Sequence, residues 1–247
     1  MDAVLSAIAI IPSAPVMVPQ LAGGAAAELA DLHEAVVAAA SALPDRWVAI
    51  GVADANPGTG VGDANPGTGV GDAGAVIGPH TAGTFAGYGV DVRVTLAPGV
   101  DDDPVPLPLC ALITGWVRGV ARPGATAEVR VFADGSPDAV ARGRALRAEL
   151  DATTEPVGVL VVGDGANTLT PPAPGGYDPD SLPLQHAFDE ALAGGDVAAL
   201  TRLPRVITAR TAFEVLGGLA EPGPRSAEQL YRGAPYGVGY FAGIWTP

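Results

Sequence analysis

With 247 residues, 48% of them hydrophobic and only 16% charged, the chain has a globular rather than a disordered composition and enough material for a sizeable core. Its net charge of −14, with 13 basic residues that are all arginine, argues against nucleic acid and anionic membrane as main partners, because neutralising phosphate needs clustered cations. The single cysteine, Cys110, excludes an intrachain disulfide and a Cys-based structural zinc site.

The start of the chain lacks the basic region of a signal peptide. No apolar run approaches the roughly 20 residues of a membrane span, so the expected location is cytoplasmic. Ala3 to Ile11 is apolar and rich in β-branched residues, which predicts a buried strand. Pro12-Ser13-Ala14-Pro15 then turns the backbone out at the strand's carboxyl end, the edge at which open α/β sheets bind ligands. Ser13 is therefore the first candidate site residue. Gly24 to Leu43 is Ala-rich, with Glu28, Asp31 and Glu34 toward its start, and predicts a helix. Trp47 to Val52 reads as a second buried strand. Tyr88 to Leu96, with Val90, Val92 and Val94 on one face, reads as a third. Leu107 to Val120 predicts a helix that buries Cys110 as a small core residue. Ala127 to Phe132 predicts a strand, and Pro137 to Asp151 a helix with proline in its first turn. Val157 to Val162 is the clearest buried strand. Helices over Leu182–Ala193, Asp196–Leu203 and Val206–Leu219 follow, and a strand over Gly237–Trp245 closes the series. The alternation predicts one domain over residues 1–247, of three-layer α/β/α type with a central mixed, mostly parallel sheet.

One segment is anomalous. Asp54-Ala55-Asn56-Pro57-Gly58-Thr59-Gly60-Val61-Gly62 repeats residue for residue as Asp63 to Gly71, and Asp72-Ala73 begins a third copy. Two copies are too few for a solenoid, and one carboxylate per copy is thin for calcium, which takes 6–8 oxygen ligands. The expectation is a Gly/Asp-rich insertion over 54–74 in a surface loop, tolerated because loop-closure entropy grows slowly with length.

Three loops follow strands on one sheet edge: Pro12–Pro15, the stretch from Asp54, and Gly163-Asp164-Gly165-Ala166-Asn167-Thr168. The third has neither the G-x-G-x-x-G nor the G-x-x-x-x-G-K-[ST] spacing, and no lysine exists to serve a phosphate. An Asp-Gly turn with Asn167 or Thr168 capping the next element is the plain alternative. His33 and His186 fall inside predicted helices, where solvated side chains are the rule. His80 lies in a loop, Gly78-Pro79-His80-Thr81, from which it could reach the cleft. A Ser13–His80–Asp164 triad can be written, yet Ser13 lacks a G-x-S-x-G elbow, and no paired-histidine spacing supports a metal site.

The order of these pieces resembles a known family. A first strand ends in a Pro-x-x-Pro turn. Val161-Val162-Gly163-Asp164-Gly165-Ala166-Asn167 is followed by Ala173-Pro174-Gly175, Phe188-Asp189 and Gly195-Asp196, and then by Gly233-Ala234-Pro235-Tyr236-Gly237-Val238-Gly239-Tyr240. Together they are similar to the LigB/Memo superfamily, that of the class III extradiol ring-cleavage dioxygenases, and more narrowly to its small, alanine-rich actinobacterial branch. The resemblance implies the corresponding α/β fold over nearly the whole chain. It also implies that active members hold Fe(II) through two histidines and a carboxylate. On that comparison a histidine is expected at Ser13, a second where Val52-Ala53-Asp54 stands, a glutamate at Gly233, and a catalytic histidine at Asn167. None is present. The reading that follows is a dioxygenase-like protein that has lost its iron ligands and binds a small molecule or a partner through the inherited cleft. Ser13, Asp54, His80, Asp164, Asn167, Thr168 and Gly233 are its cleft-lining candidates, with no cofactor. The alternative is a divergent ring-cleavage dioxygenase or metal-dependent hydrolase recruiting His80 and nearby aspartates, with Fe(II). A homo-oligomer is compatible with the apolar content.

Overall fold

The computed structural model describes residues 4–53 and 74–247. In chain order its elements are β1 (Leu5–Ile11), α1 (Pro19–Ala22), α2 (Ala30–Ser41), β2 (Arg46–Ala53), β3 (Ala75–Ile77), β4 (Ala82–Thr84), β5 (Arg93–Thr95), α3 (Leu109–Ala121), β6 (Thr126–Ala133), α4 (Ala139–Asp151), β7 (Val157–Val162), α5 (Ser181–Gly194), α6 (Val197–Leu200), α7 (Arg210–Leu219), β8 (Ser226–Gly233) and β9 (Tyr240–Thr246).

Seven strands form one sheet in the order β3-β6-β2-β7-β1-β9-β8. β6, β2, β7 and β1 pair in parallel; β9 runs against both β1 and β8, and β3 runs against β6. The three strands at the centre, β2, β7 and β1, are almost wholly apolar because helices cover both faces. In β1, Ala7, Ala9 and Ile11 face α2 and α3, whereas Leu5, Ile8 and Ile10 face the layer of α4, α5, α6 and α7. The result is a three-layer α/β/α sandwich around a mostly parallel sheet.

Two glycines set how closely one layer packs on itself. A Cβ on Gly143 of α4 would lie well under 3.0 Å from the Val215 carbonyl oxygen, and one on Gly218 of α7 equally close to the Val140 carbonyl oxygen. The α4 and α7 backbones are thus in direct contact where they cross. On the opposite layer the buried Arg118 guanidinium ties α3 to its surroundings, donating to the carbonyl oxygens of Thr95 (2.8 Å), Pro123 (2.7 Å) and Ala125 (3.2 Å).

The expected third strand of the main sheet, Tyr88–Leu96, is corrected. Phe85–Tyr88 is a 3-10 turn, and only Arg93–Thr95 is extended, pairing with Ala82–Thr84 in a separate two-stranded sheet. Alternation at Val90, Val92 and Val94 reports a half-buried surface and cannot say which sheet supplies it. β3 and β8 join the main sheet as strands that the apolar periodicity does not predict. The expected helix over Asp196–Leu203 contracts to a single turn, Val197–Leu200.

Candidate functional site

Strand register brings four positions into one row just beyond the sheet's carboxyl edge. Ile11 is level with Val162, so two residues later Ser13 is level with Asp164, and the Ser13 N–H donates to the Asp164 Oδ1 at 2.7 Å. The β1–β9 register, Ile10 opposite Gly243, brings Tyr240 level with Ser13 when extended by three residues, and Gly233 pairs with Tyr240. The row therefore runs Asp164, Ser13, Tyr240, Gly233. Because side chains alternate along a strand, Ser13 follows Ile11 and Asp164 follows Val162 onto the α2/α3 side, where Tyr240 is also buried.

The Asp164 loop is clamped from below. Gly165 N–H donates to the Gly239 carbonyl and Gly239 N–H to the Ala166 carbonyl, both at 2.8 Å. The side-chain amide of Gln185, on α5, fills the space that a Cβ on Gly165 or Gly239 would need. Its Oε1 accepts from Ala166 N–H at 2.7 Å, and its Nε2 donates to the Asp189 Oδ1 at 2.8 Å. Gln185 and Asp189 are both buried. The glycines of Gly163-Asp164-Gly165 and Gly237-Val238-Gly239 thus make room for neighbouring side chains rather than for a phosphate: at Gly163 that neighbour is Ala209, with Phe213 behind it.

Burial pushes the Asp164 carboxyl up to about 7, opposed by the Ser13 N–H, which favours its ionised form. Burial likewise raises Asp189 to about 6, against the hydrogen bond from Gln185 and the attraction of Arg232. Tyr240 is raised by burial and then by the charges of Asp164, Tyr236 and Tyr231. Burial also raises Tyr231, with Asp31 adding to it, and raises Tyr236, with Glu28 adding to it; the Tyr236 hydroxyl lies 3.5 Å from the Glu28 Oε2. The edge row is therefore walled by three phenols and rimmed by two acids.

The remaining sequence candidates are distributed differently. Asp54 and the 54–74 insertion lie outside the described residues, apart from Gly74. Gly233 is in the row, and the Tyr231 hydroxyl occupies the space a side chain there would enter. Asn167 packs against Gly175, and Thr168 donates to the Ser181 Oγ at 2.7 Å, so both serve the proline-rich loop leading into α5. His80 is a correction. Ala75 opposes Val131 and Ile77 opposes Val129, so β3 carries the chain away from the carboxyl edge. Pro79 then sits beside Arg46, Trp47 and Thr126 at the amino ends of β2 and β6. A strand of this length rises roughly 25 Å, so His80 is exposed on the far side of the sheet from Ser13 and Asp164. The Ser13–His80–Asp164 triad is not assembled.

Neither of the other two histidines stands in the row. His33 lies edge-on to Trp116, with ring centroids 5.5 Å apart, and lines a cavity of about 240 Å³ with Val16, Met17 and Leu29. His186 is exposed on α5, 4.0 Å from Glu190. Fe(II) needs imidazole and carboxylate donors converging on one point. Ser13 and Gly233 supply neither, and Asp164 is the row's one carboxylate. Among the described residues no group of three or more His, Cys, Asp and Glu side chains could hold a metal ion. The donors in the row do not fit an iron centre.

No protein-family model matches this chain, and no curated protein does. Among solved structures it is similar to an uncharacterized protein from Escherichia coli K12, with 11% sequence identity and a TM-score of 0.46, covering 97% of this chain and 99% of that one. Among the described residues no helix is long and apolar enough to cross a membrane.

Proposed function

We propose that this chain is a small-molecule-binding protein on the class III extradiol dioxygenase plan, using the cleft at the carboxyl edge of its sheet without an iron centre. The observation that carries the reading is the row itself. The positions at which the resemblance expects a metal-binding histidine and glutamate, Ser13 and Gly233, stand level with Asp164 and Tyr240, but their side chains are a hydroxymethyl and a hydrogen. The space beyond Gly233 is taken by the Tyr231 phenol. What the cleft offers a ligand is one desolvated carboxyl, phenolic hydroxyls and aromatic walls, a polar and aromatic set suited to a compact organic molecule. The metal-dependent enzyme reading loses its histidine, because His80 is at the other edge.

The test combines iron loading with a fragment screen on the tag-free protein. Expected are no stoichiometric retained iron after Fe(II) incubation and desalting, no oxygen uptake with catechols, and saturable binding of small aromatic fragments that shifts the tyrosine signals in NMR. About one tightly held iron per chain with catechol-dependent oxygen uptake would overturn the proposal. So would a screen in which no fragment perturbs the tyrosines.

A further inference from the structure

We infer that the chain has a second small-molecule site, the cavity between the Pro15–Met17 turn, α1 and the first turn of α2, and that it takes a single-ring uncharged aromatic whose hydroxyl rests on the His33 imidazole. None of the residues lining this cavity belongs to the row of Asp164, Ser13, Tyr240 and Gly233, so the two sites stand or fall separately. The cavity holds about 240 Å³. Voids larger than a water molecule are few in a packed protein, and an apolar cavity of about 150 Å³ already admits benzene. One ring with a substituent therefore fits, whereas drug-sized ligands occupy pockets of roughly 300–1,000 Å³. The wall is apolar: Met17 and Leu29 are buried there, with Val16 and Ala22 half-buried beside them. Water against such a wall finds few partners, so a ring that displaces it gains.

The polar side chains on the lining are His33 and Glu34. Trp116, buried on α3 and not part of the lining, meets the half-buried His33 ring edge-on and holds it from one side. Among the described residues neither ring nitrogen of His33 has a hydrogen-bond partner. A neutral imidazole keeps one nitrogen as an acceptor, which a ligand hydroxyl can meet as donor. The charges around the cavity decide against an ionised ligand. A carboxylate would approach Glu34 at the mouth of a chain carrying −14 overall. An ammonium would give up its hydration against an apolar wall, and its one counter-charge there, Glu34, is exposed, where ion pairs contribute little. A neutral hydroxyl has the least hydration to lose and a partner waiting.

Phenol, toluene and benzoate, one ring each, separate these cases when titrated at pH 8 into the full chain while NMR follows the Met17 methyl and the His33 ring. Met17 is one of only two methionines, so its signal is readily assigned. Expected are saturable shifts of both reporters with phenol in the millimolar range or tighter, and no saturation with benzoate. His33→Leu keeps the wall apolar and removes the acceptor; it is expected to weaken phenol about fivefold, read at Met17, while leaving toluene unchanged. Ala22→Phe fills the cavity and is expected to abolish the Met17 shift with phenol and toluene alike, without lowering the urea midpoint. Benzoate binding as tightly as phenol would overturn the inference, as would His33→Leu binding phenol at full strength or losing toluene together with phenol. A folded Ala22→Phe protein that still shifts Met17 would overturn it too. Phenol that moves the cleft tyrosines but neither Met17 nor His33 would remove this site and leave the reading of the cleft standing.

Discussion

Replacing Gly218 of α7 by alanine sets two effects of opposite sign against each other. In a helix interior the substitution gains about 1 kcal/mol of helix propensity. Against it stands the crossing with α4, where the new Cβ would press on the Val140 carbonyl oxygen and lie 2.8 Å from the Val140 carbonyl carbon. Ordinary contact begins near 3.4 Å, and the atoms in the way are backbone, which cannot rotate aside as a side-chain tip would. The helices must separate, and separation strips packing from Leu146, Val215 and Leu216, all buried in the same cluster. Overpacking of this kind typically costs about 1–3 kcal/mol, and a backbone clash belongs at the upper end or beyond. The clash wins: Gly218→Ala is expected to destabilise by about 2 kcal/mol net, and Gly143→Ala, which meets the Val215 carbonyl in the same way, by a similar amount. Because both Cβ atoms force the same separation, the double variant should lose less than the sum. Gly119, exposed on α3 with nothing near its missing Cβ, is the control, and Gly119→Ala should gain about 0.5–1 kcal/mol. Urea unfolding followed by circular dichroism reads all four. Gly218→Ala and Gly143→Ala at or above wild-type stability would refute the close crossing.

Asp164 and Asp189 both titrate above their ordinary range in the folded state, so the folded chain binds more protons than the unfolded one between about pH 4 and 7. Their contribution to stability should therefore decline as pH rises through that window, and Asp164→Asn should flatten the decline, seen as a smaller change in urea midpoint between pH 5 and pH 8. Gln185→Leu removes the partner of the buried Ala166 N–H and of Asp189. It is expected to cost about 2–4 kcal/mol in urea unfolding; a loss below about 0.5 kcal/mol would mean that the clamp does not hold the Asp164 loop. Cys110 lies buried beneath Gly51, so its thiol should react with a disulfide reagent only at the rate of unfolding, and rapid labelling of the native protein would contradict that burial.

The strands most easily read from the chain are those buried on both faces. Val157–Val162 matches to the residue, and β1 and β2 match within two residues, because nearly unbroken apolar runs leave little else for a segment to be; β6 matches within one residue by alternation, with Glu128 and Arg130 between its buried apolar side chains. Ser226-Ala-Glu-Gln-Leu-Tyr-Arg-Gly233 is half exposed along its length and sits at the sheet's edge, where charged residues are tolerated and periodicity is lost. Ser13 and Asp164 were legible because they follow parallel strands, whose carboxyl ends mark the ligand edge. Tyr240 was not, because β9 runs the other way and presents its beginning there. Gln185 looks like any helical glutamine in sequence; only the two missing Cβ atoms around its amide, at Gly165 and Gly239, reveal its place.

β1 also governs how the molecule comes together. Its neighbours in the sheet are β7 and β9, which begin about 150 and 235 residues after it. A seven-residue stretch of almost unbroken apolar character therefore leaves the ribosome long before either of its pairing partners has been made. Sequence-distant pairing of this kind slows folding and leaves unpaired strand edges exposed meanwhile. On the ribosome, β1 is the segment most in need of shelter, and the cleft it helps to build is among the last parts of the molecule to close.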